Sequence, residues 1–418
     1  MTKRTLLFLL LWFSSGLGAV GQFNCGTSTK LVCQIPFATG ASTPGGGSTT
    51  ATQAALGFNG PIASQLTQLP LPSAASGTVL VLDLATKEVV PLDNLGPILT
   101  ERAQTIGKNR LFLGFSFQQF NFNSIDGFSL GSIPFAYEAT PSANTAQFTS
   151  QTEHISFKLN QYVIVASYGL TASTDVSVVV PIERVSLGVG YTGNAYYLDA
   201  NNKTYPPFPV NNYVPGVASG FGDILLGVKH DFMGGERSEK RVHLAAGGLL
   251  RLPTGDALNY LGSGSYGFNP YIVVSYYRRI SPHARLGYAW NSSTILLPNP
   301  TGGNSNLPGG LQYDVGADAS LLKGLTVAAD FLGNQYLNAP TFYYSSFQIP
   351  VYNQSVATLA THNTSYTIND FSVGLKWNPK WKSVNNLVIY ANVLFQLNNV
   401  GLKSDPVPMV GLSYKFKP

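Results

Sequence analysis

Residues 220–293 contain four successive runs of strand length in which apolar side chains alternate with small or polar ones. The runs are GFGDILLGVKHDF, VHLAAGGLLRL, YGFNPYIVVSYYRRI and ARLGYAWN, and turn signals separate them. One face of VHLAAGGLLRL is uniformly apolar and carries Val242, Leu244, Ala246, Leu250 and Leu252. The opposite face is mixed and carries His243, Ala245, Gly247 and Arg251. A strand with these two faces fits between lipid and a wet lumen, so the sequence predicts an all-β fold, a transmembrane antiparallel β-barrel.

The composition agrees with a surface that is partly solvated by lipid. Charged residues make up 11% of the 418 residues, which is low for a soluble protein, whereas aromatic residues make up 12% and glycine occurs 43 times. The formal charge of +5 is spread along the chain without a basic block, so no nucleic-acid partner is expected.

The first 21 residues have the pattern of a secretory signal peptide. Lys3 and Arg4 precede the apolar run 6–13, and Ala19-x-Gly21 supplies a cleavage pattern with the cut after Gly21. No later stretch has 18 consecutive apolar residues, so a membrane-embedded chain of this sequence can cross only as a closed barrel. The expected location is the bacterial outer membrane.

Cys25 and Cys33 are the only two cysteines of the chain. In an oxidising compartment we predict that they form one disulfide that closes a small N-terminal loop. A metal site needs more ligands than two thiols, and no histidine lies near them in the sequence. No cofactor is therefore expected.

Residues 22–106 are predicted to form an extension that precedes the barrel. Residues 37–60 are rich in Gly, Ser and Thr and are expected to be a flexible tether. Residues 79–84 and 88–92 are compatible with a small hairpin, and residues 94–104 with a short helix. The sequence leaves open whether the extension lies in the periplasm or plugs the barrel, and we favour the plug.

Residues 107–418 are predicted to form the barrel, with about twelve strands and a range of twelve to fourteen. The expected strands are 110–122, 152–168, 174–190, 219–232, 241–252, 266–279, 284–293, 309–321, 325–337, 366–378, 386–397 and 406–416. The connections after the even-numbered strands are short, whereas those after the first, third, fifth, seventh and ninth are long and rich in Gly, Asn, Ser and Pro. This alternation predicts short periplasmic turns and long extracellular loops, for which a soluble β-sandwich has no need.

Charged residues of both signs lie on the face opposite the lipid. Those expected to line the lumen are Asp223, Lys229, Asp231, Arg251, Arg285, Asp314, Asp318, Asp330, Asp370 and Lys376. On the lipid face a charge near the membrane midplane would cost up to about 2–4 kcal/mol. Two roles remain open: an ion-pair network that rigidifies the interior, and a lining that orders permeating solutes or anchors the plug.

Two positions in the wall are predicted to carry bulges that could leave a lateral gap. The strand phase changes near Asn160, and Pro181 cannot donate a hydrogen bond to the ladder of a closed sheet. Turn chemistry follows the fifth expected strand and is predicted at the pore mouth, at Pro253, Thr254, Gly255 and Asp256.

Catalytic motifs are not found. The five histidines, at positions 154, 230, 243, 283 and 362, are scattered, and none has the spacing of a metalloprotease or lies beside a serine-nucleophile motif. The chain is therefore not expected to be an enzyme.

Several segments resemble a known family. GFGDILLGVKHDF, LAAGGLLRLPTGDALNYLGSGSYG and SPHARLGYAWN resemble the outer-membrane transporters grouped under the MetA pathway of phenol degradation, a group that is similar to the FadL-like channels. YGLTASTDVSVVVPIERVSLGVGY is similar to the first short-turn hairpin of that family, and the resemblance covers roughly residues 95–416. The terminal Gly411, Tyr414 and Phe416 resemble the signal by which the barrel-assembly machinery recognises its clients.

The resemblance implies passive uptake of small hydrophobic, often aromatic, compounds by a barrel in contact with outer-membrane lipid, and it supplies no binding residues. We expect the N-terminal segment to gate passage, and a monomer, because a closed barrel needs no second copy. The alternative is a structural or surface-interaction barrel whose long loops, at 191–218, 294–308 and 338–365, bind a partner.

Overall fold

Twelve antiparallel strands close into one barrel in the computed structural model, which describes residues 29–35, 57–73, 80–82, 89–91, 94–139, 146–199, 201, 203–233, 240–298, 304–349, 352–379 and 386–416. In chain order they are β1 (Leu111–Ile125), β2 (Ala146–Gly169), β3 (Thr174–Leu198), β4 (Ile224–Asp231), β5 (Val242–Leu252), β6 (Gly267–Tyr276), β7 (Ile280–Asn291), β8 (Gly310–Leu322), β9 (Leu325–Ile349), β10 (Gln354–Trp377), β11 (Leu387–Gln396) and β12 (Val407–Phe416). Each strand pairs with the next in the chain, and β12 pairs with β1 to close the sheet. The predicted fold class and the predicted strand number are confirmed.

The alternation of side chains in β5 sorts them between the outside and the lumen. Val242 is 49% exposed on the outer face, whereas the neighbouring His243 is 2% exposed on the inner face. Leu250 and Arg251 repeat the contrast at the other end of the strand. The outer face of β5 is therefore apolar and free to meet lipid, as the sequence predicted.

Tryptophans mark both edges of the apolar outer surface. Trp290 is exposed at the long-connection end of β7, and Trp377 is exposed at the short-turn end of β10. This placement is typical of the aromatic girdles of outer-membrane barrels, whose short turns face the periplasm. Trp381 lies outside the described residues.

Two of the expected extracellular loops are mostly strand, so the prediction of loops at 191–218 and 338–365 was wrong. The outer part of β3 pairs with an additional strand, Thr204–Phe221, and β9 pairs with β10 as far as Ile349 and Gln354. Tyrosine, threonine and valine are frequent in these stretches and favour extended backbone, so pairing continues beyond the membrane. Further short strands lie in the connections between the barrel strands, at Phe128–Ser129, Ile133–Ala139, Ser293–Pro298, Asn304–Asn306 and Leu402–Ser404.

The extended hairpins are tied together outside the membrane. Phe148 and Tyr196 of the β2–β3 hairpin pack against Ile349 of the β9–β10 hairpin. The carboxylate of Asp126, just after β1, accepts hydrogen bonds from the backbone N–H groups of Phe342 and Gly401, both at 2.8 Å. Burial raises the pKa of Asp126, although these N–H donors lower it.

The N-terminal part contains little regular structure. A 3₁₀ turn spans Leu31–Cys33, helix α1 spans Asn59–Leu66, and the predicted small hairpin is confirmed by the pairing of Leu80–Leu82 with Val89–Pro91. Helix α1 begins within the predicted tether, and the rest of that tether lies mostly outside the described residues. The predicted signal peptide also lies outside them. Among the described residues, no helix has the length and apolar character needed to cross a membrane.

The predicted helix at 94–104 is wrong, because residues 94–106 form an irregular segment. Gly96, at φ +83°, adopts a left-handed conformation that interrupts a helix, and its missing Cβ leaves room for the Arg102 guanidinium. The backbone groups of the segment bond instead to side chains of the barrel, as described next.

Candidate functional site

Residues 94–106 lie inside the barrel at its short-turn end. The Thr105 hydroxyl donates to the carbonyl of Ala172 in the β2–β3 turn at 2.7 Å, and the Asn94 amide donates to the Ser281 hydroxyl of β7 at 3.1 Å. The segment therefore occupies the periplasmic end of the lumen, and we name it the plug segment.

Barrel side chains accept from the N–H groups of the plug segment. The N–H of Leu95 donates to the Thr326 hydroxyl at 2.9 Å, and that of Ala103 donates to the Ser275 hydroxyl at 3.1 Å. These bonds replace the i→i−4 bonds of a helix, because buried backbone donors must find a partner.

Two lumen lysines bind the carbonyl groups of the plug segment. Lys376 of β10 donates from Nζ to the carbonyls of Leu95, at 3.3 Å, and Pro97. Lys229 of β4 donates to the carbonyl of Arg102 at 2.9 Å. The segment is thereby held from separate strands of the wall.

Buried ionic contacts complete the attachment. Arg102 donates from Nη2 to Asp318 Oδ2 of β8 at 2.7 Å, with both side chains almost fully buried. His283 Nε2 lies 3.0 Å from Asp330 Oδ1, which also accepts from the Thr100 hydroxyl at 2.9 Å. Sequence reasoning missed Thr100, Arg102 and His283, although Arg102 is a charge in a mostly apolar stretch.

A cavity of about 160 Å³ lies next to the plug segment, between the chain at residues 67–73 and the wall formed by β3–β9. Its apolar lining includes Leu69, Leu71, Leu99, Leu225, Leu249 and Leu332. Its polar lining includes Arg251, Asn269, Arg285, Asn291, Gln312 and Asp314. A cavity of about 150 Å³ is large enough for benzene in an engineered protein, so this one has room for one aromatic ring.

The polar side of the cavity is only partly satisfied internally. Arg285 donates from Nε to Asp314 Oδ2 at 2.5 Å, and Arg251 donates from Nη2 to Asn291 Oδ1 at 2.7 Å. The buried atoms Arg251 Nε and Asn269 Oδ1 have no hydrogen-bond partner among the described residues. Arg251 Nε lies 3.7 Å from Asp223 Oδ2, so the lining offers one acceptor without a partner among the described residues, Asn269 Oδ1, beside an apolar surface.

The remaining predicted lumen residues lie in smaller groups. Asp231 accepts from His243, with 2.6 Å between Oδ2 and Nδ1, close to the periplasmic end of β4 and β5. Asp370 is buried on the inner face of β10 and belongs to none of these ion pairs. The ten predicted residues are buried or largely buried, and they divide between the plug contacts, the cavity, these groups and, for Asp223, the turn that follows β5.

The predicted bulge at Asn160 is wrong. Asn160 pairs with Gln119 of β1 and Arg184 of β3, and neither ladder shifts register there. Polar side chains on the outer face, rather than an extra residue, explain the change of pattern at this position.

The ladder does break opposite Pro181. Val179 pairs with Leu225, and Ile182 with Phe221, so the β4 side has one residue more than the β3 side. The extra length lies at Gly222–Asp223, next to Pro181, which has no N–H to donate.

The predicted turn at 253–256 holds this break in place. The Thr254 hydroxyl donates to the carbonyl of Gly222 at 2.9 Å, and the N–H of Gly255 donates to Asp223 Oδ1 at 3.1 Å. A Cβ on Gly255 would lie 2.2 Å from the carbonyl oxygen of Leu261, so the close approach requires glycine.

The same turn contacts the N-terminal segment. Asp256 Oδ2 accepts from Lys30 Nζ at 2.6 Å, and Asn259 Oδ1 accepts from the N–H of Leu31 at 3.1 Å. Cys33 is fully buried nearby, whereas Cys25 lies outside the described residues. The disulfide between them stays a prediction.

The sequence also matches a known protein family. The family described as MetA-pathway of phenol degradation matches residues 138–398. No curated protein matches the chain.

Similar solved structures include an outer-membrane channel from Pseudomonas putida F1, at 11% identity, 76% coverage of this chain, 99% of that chain and a TM-score of 0.44. The toluene transporter TodX of Pseudomonas putida follows at 10% identity, 84% and 99% coverage and a TM-score of 0.30. A FadL homologue of Pseudomonas aeruginosa has 10% identity, 82% and 96% coverage and a TM-score of 0.31. These values are too low to indicate a shared function. The family match covers more than half of the sequence, and the chain, a twelve-stranded barrel of the bacterial outer membrane, belongs to the MetA-pathway of phenol degradation family.

Proposed function

We propose that the protein is a channel for the passive uptake of small hydrophobic compounds, aromatic ones among them. The observation that carries the proposal is the cavity of about 160 Å³ inside the barrel, lined by six leucines and a set of polar groups. Pockets that combine an apolar surface with a few placed polar groups are typical of small-molecule sites.

The physical need for such a channel lies in the membrane. The lipopolysaccharide leaflet resists hydrophobic solutes, and an apolar cavity within the barrel offers them a route past it. The unpartnered acceptor Asn269 Oδ1 and the neighbouring Arg251 guanidinium can orient one polar group of a solute whose apolar part contacts the leucines.

In this proposal the plug segment is the gate. It occupies the periplasmic end of the lumen and is attached by hydrogen bonds from Lys229 and Lys376 and by the Arg102–Asp318 ion pair. Passage to the periplasm therefore requires that residues 94–106 move. The lumen charges then anchor the gate and line the route.

A lateral exit for the solute through the barrel wall is proposed only at Pro181, because the ladder is continuous at Asn160. A second cavity of about 60 Å³ lies behind the broken ladder and is lined by Pro181, Glu183 and Asp223. Replacing Gly222 with leucine would fill the break, because a Cβ at this position already lies 3.0 Å from Pro181 Cβ. Slower uptake in Gly222→Leu would support the exit, and unchanged uptake would remove it.

The uptake proposal is tested by blocking the cavity. Leu249 lines the cavity, whereas Leu250, the next residue of β5, faces lipid. In intact cells that produce the protein, Leu249→Trp should reduce the uptake of a ring-labelled monoaromatic compound to nearly the vector level, and Leu250→Trp should not. Wild-type uptake at the vector level, or equal uptake by both variants, would contradict the proposal.

The alternative, a surface-interaction barrel, is favoured by the exposed aromatic residues of the outer hairpins. Tyr213 and Tyr344 are largely exposed beyond the lipid-facing surface. Such a barrel would pass no solute even when the plug segment is loosened.

A further inference from the structure

The pairing register of β1, β2, β3 and the additional strand Thr204–Phe221 shows where the lipid-facing surface ends on one side of the barrel. Counted from the periplasmic end, the last apolar row on the outer face consists of Phe117, Tyr162, Ile182 and Phe221. The next row outward is polar and consists of Gln119, Asn160, Arg184 and Ser219. The change occurs in one step of two residues on all four segments. This step therefore marks the boundary between acyl chains and head groups in the outer leaflet.

Two cations lie immediately beyond this boundary. Arg184 is in the first polar row, and Lys158 is in the second, opposite Asn121 and Ser186. Both side chains are exposed on the outer face, and neither makes an ion pair among the described residues. Diagonal neighbours on adjacent strands lie about 7–8 Å apart, so both cations can reach one phosphate group or two adjacent ones.

Their surroundings are not acidic. The other members of the first two rows beyond the boundary are the uncharged polar residues Gln119, Asn121, Asn160, Ser186 and Ser219 and the apolar Val217. Asp405 lies further out and accepts a hydrogen bond from Asn123 at 2.7 Å. A positive surface that adjoins an apolar one is complementary to an amphiphile with an anionic head group.

The same face continues outward as an aromatic shelf. Tyr213 is 63% exposed, and its ring covers Gly188 and Gly190 of β3, where a Cβ would lie 2.6 Å and 3.1 Å from it. The shelf lies beyond the two cations, at the level that the sugars of a glycolipid head group would occupy. Glycine at both positions lets the ring lie flat against the strand.

We propose that this face binds the phosphorylated glycolipid of the outer leaflet, with Lys158 and Arg184 at its phosphates, its acyl chains along Tyr162 and Ile182, and its sugars beside Tyr213. The site lies on the outside of the barrel and is independent of solute passage through the lumen. It is a fixed lipid site next to the β3–β4 break.

The test uses the full-length protein in detergent and hexa-acylated diphosphoryl lipid A as the probe, with binding followed by native mass spectrometry. Lys158→Gln/Arg184→Gln should weaken binding about 10- to 30-fold, because each cation near an anionic lipid contributes about 1 kcal/mol. Removal of both phosphates from the probe should weaken its binding to the wild type by the same factor. The charge-conserving variant Lys158→Arg/Arg184→Lys should bind the intact probe like the wild type.

The matched control removes two exposed cations at the opposite end of the barrel, Lys108 and Lys323. Lys108→Gln/Lys323→Gln should bind the probe like the wild type. Heat-modifiable gel mobility shows whether each variant is folded. Equal affinity of the Lys158/Arg184 variant and the wild type, an equal loss in the control, or equally tight binding of phosphatidylglycerol would overturn the proposal.

Discussion

Arg102 of the plug segment and Asp318 of β8, 216 positions apart in sequence, are joined by a 2.7 Å contact between Nη2 and Oδ2. Their side chains are 3% and 0% exposed. Water cannot replace either partner at this depth, so the pair fixes the plug segment to the wall only while both charges are present.

Loss of the arginine should release the plug segment. Arg102→Met leaves the buried Asp318 with only the more distant His283, whose Nδ1 lies 3.5 Å from its Oδ1, so the loss should cost up to about 3–5 kcal/mol. Because the segment has no internal helix to preserve, this cost should appear as faster hydrogen exchange at the amides of Leu95 and Ala103. The double variant Arg102→Met/Asp318→Leu should regain most of the protection. Unchanged exchange in the single variant would show that the pair does not hold the segment.

The turn that closes the β3–β4 break should depend on one glycine. Gly255→Ala places a Cβ 2.2 Å from the carbonyl oxygen of Leu261 and should destabilise the barrel by about 1–3 kcal/mol. The expected result is a lower temperature for loss of the heat-modifiable band. Gly131→Ala is the control, since a Cβ at this position meets only the Ser129 hydroxyl at 3.6 Å. Loss of the band at the same temperature in both variants would show that position 255 does not require glycine.

The outer hairpins should loosen when Asp126 is removed. Asp126→Ala leaves the N–H groups of Phe342 and Gly401 without their acceptor, and an unsatisfied buried donor costs about 1–3 kcal/mol. Protease added to intact cells should then cleave the β9–β10 hairpin faster. Glu138→Ala removes an exposed carboxylate on the same side and should leave the cleavage rate unchanged. A cleavage rate for Asp126→Ala equal to that of Glu138→Ala would show that the hydrogen bonds of Asp126 do not hold the hairpin.

The barrel itself could be predicted because its signal is local. The period-two alternation in β5, and the separation of short turns from long connections, each depend on residues close in sequence. The outward extension of β3 and β9 was missed because it depends on which partner is available, namely Thr204–Phe221 and β10. No local pattern specifies that choice.

The interior could be predicted by residue type but not by contact. Lys376, Asp318 and Arg251 were placed on the lumen face, since charge is expelled from lipid. Their partners depend on how the N-terminal chain enters the barrel, which sequence spacing does not encode. The predicted helix at 94–104 failed for the same reason: Thr326 and Ser275 bind backbone groups that a helix would have used.

The most direct measurement is uptake through a barrel whose plug segment has been locked. The N–H of Ala103 lies 3.1 Å from the Ser275 hydroxyl, so Ala103→Cys/Ser275→Cys places two thiols within reach of a disulfide. Oxidised cells should take up a ring-labelled monoaromatic compound at nearly the vector rate, and a mild reductant should restore the wild-type rate. The two single-cysteine variants and the wild type, given the same oxidant and reductant, should not respond. Full uptake through the oxidised double variant would contradict a channel gated by residues 94–106.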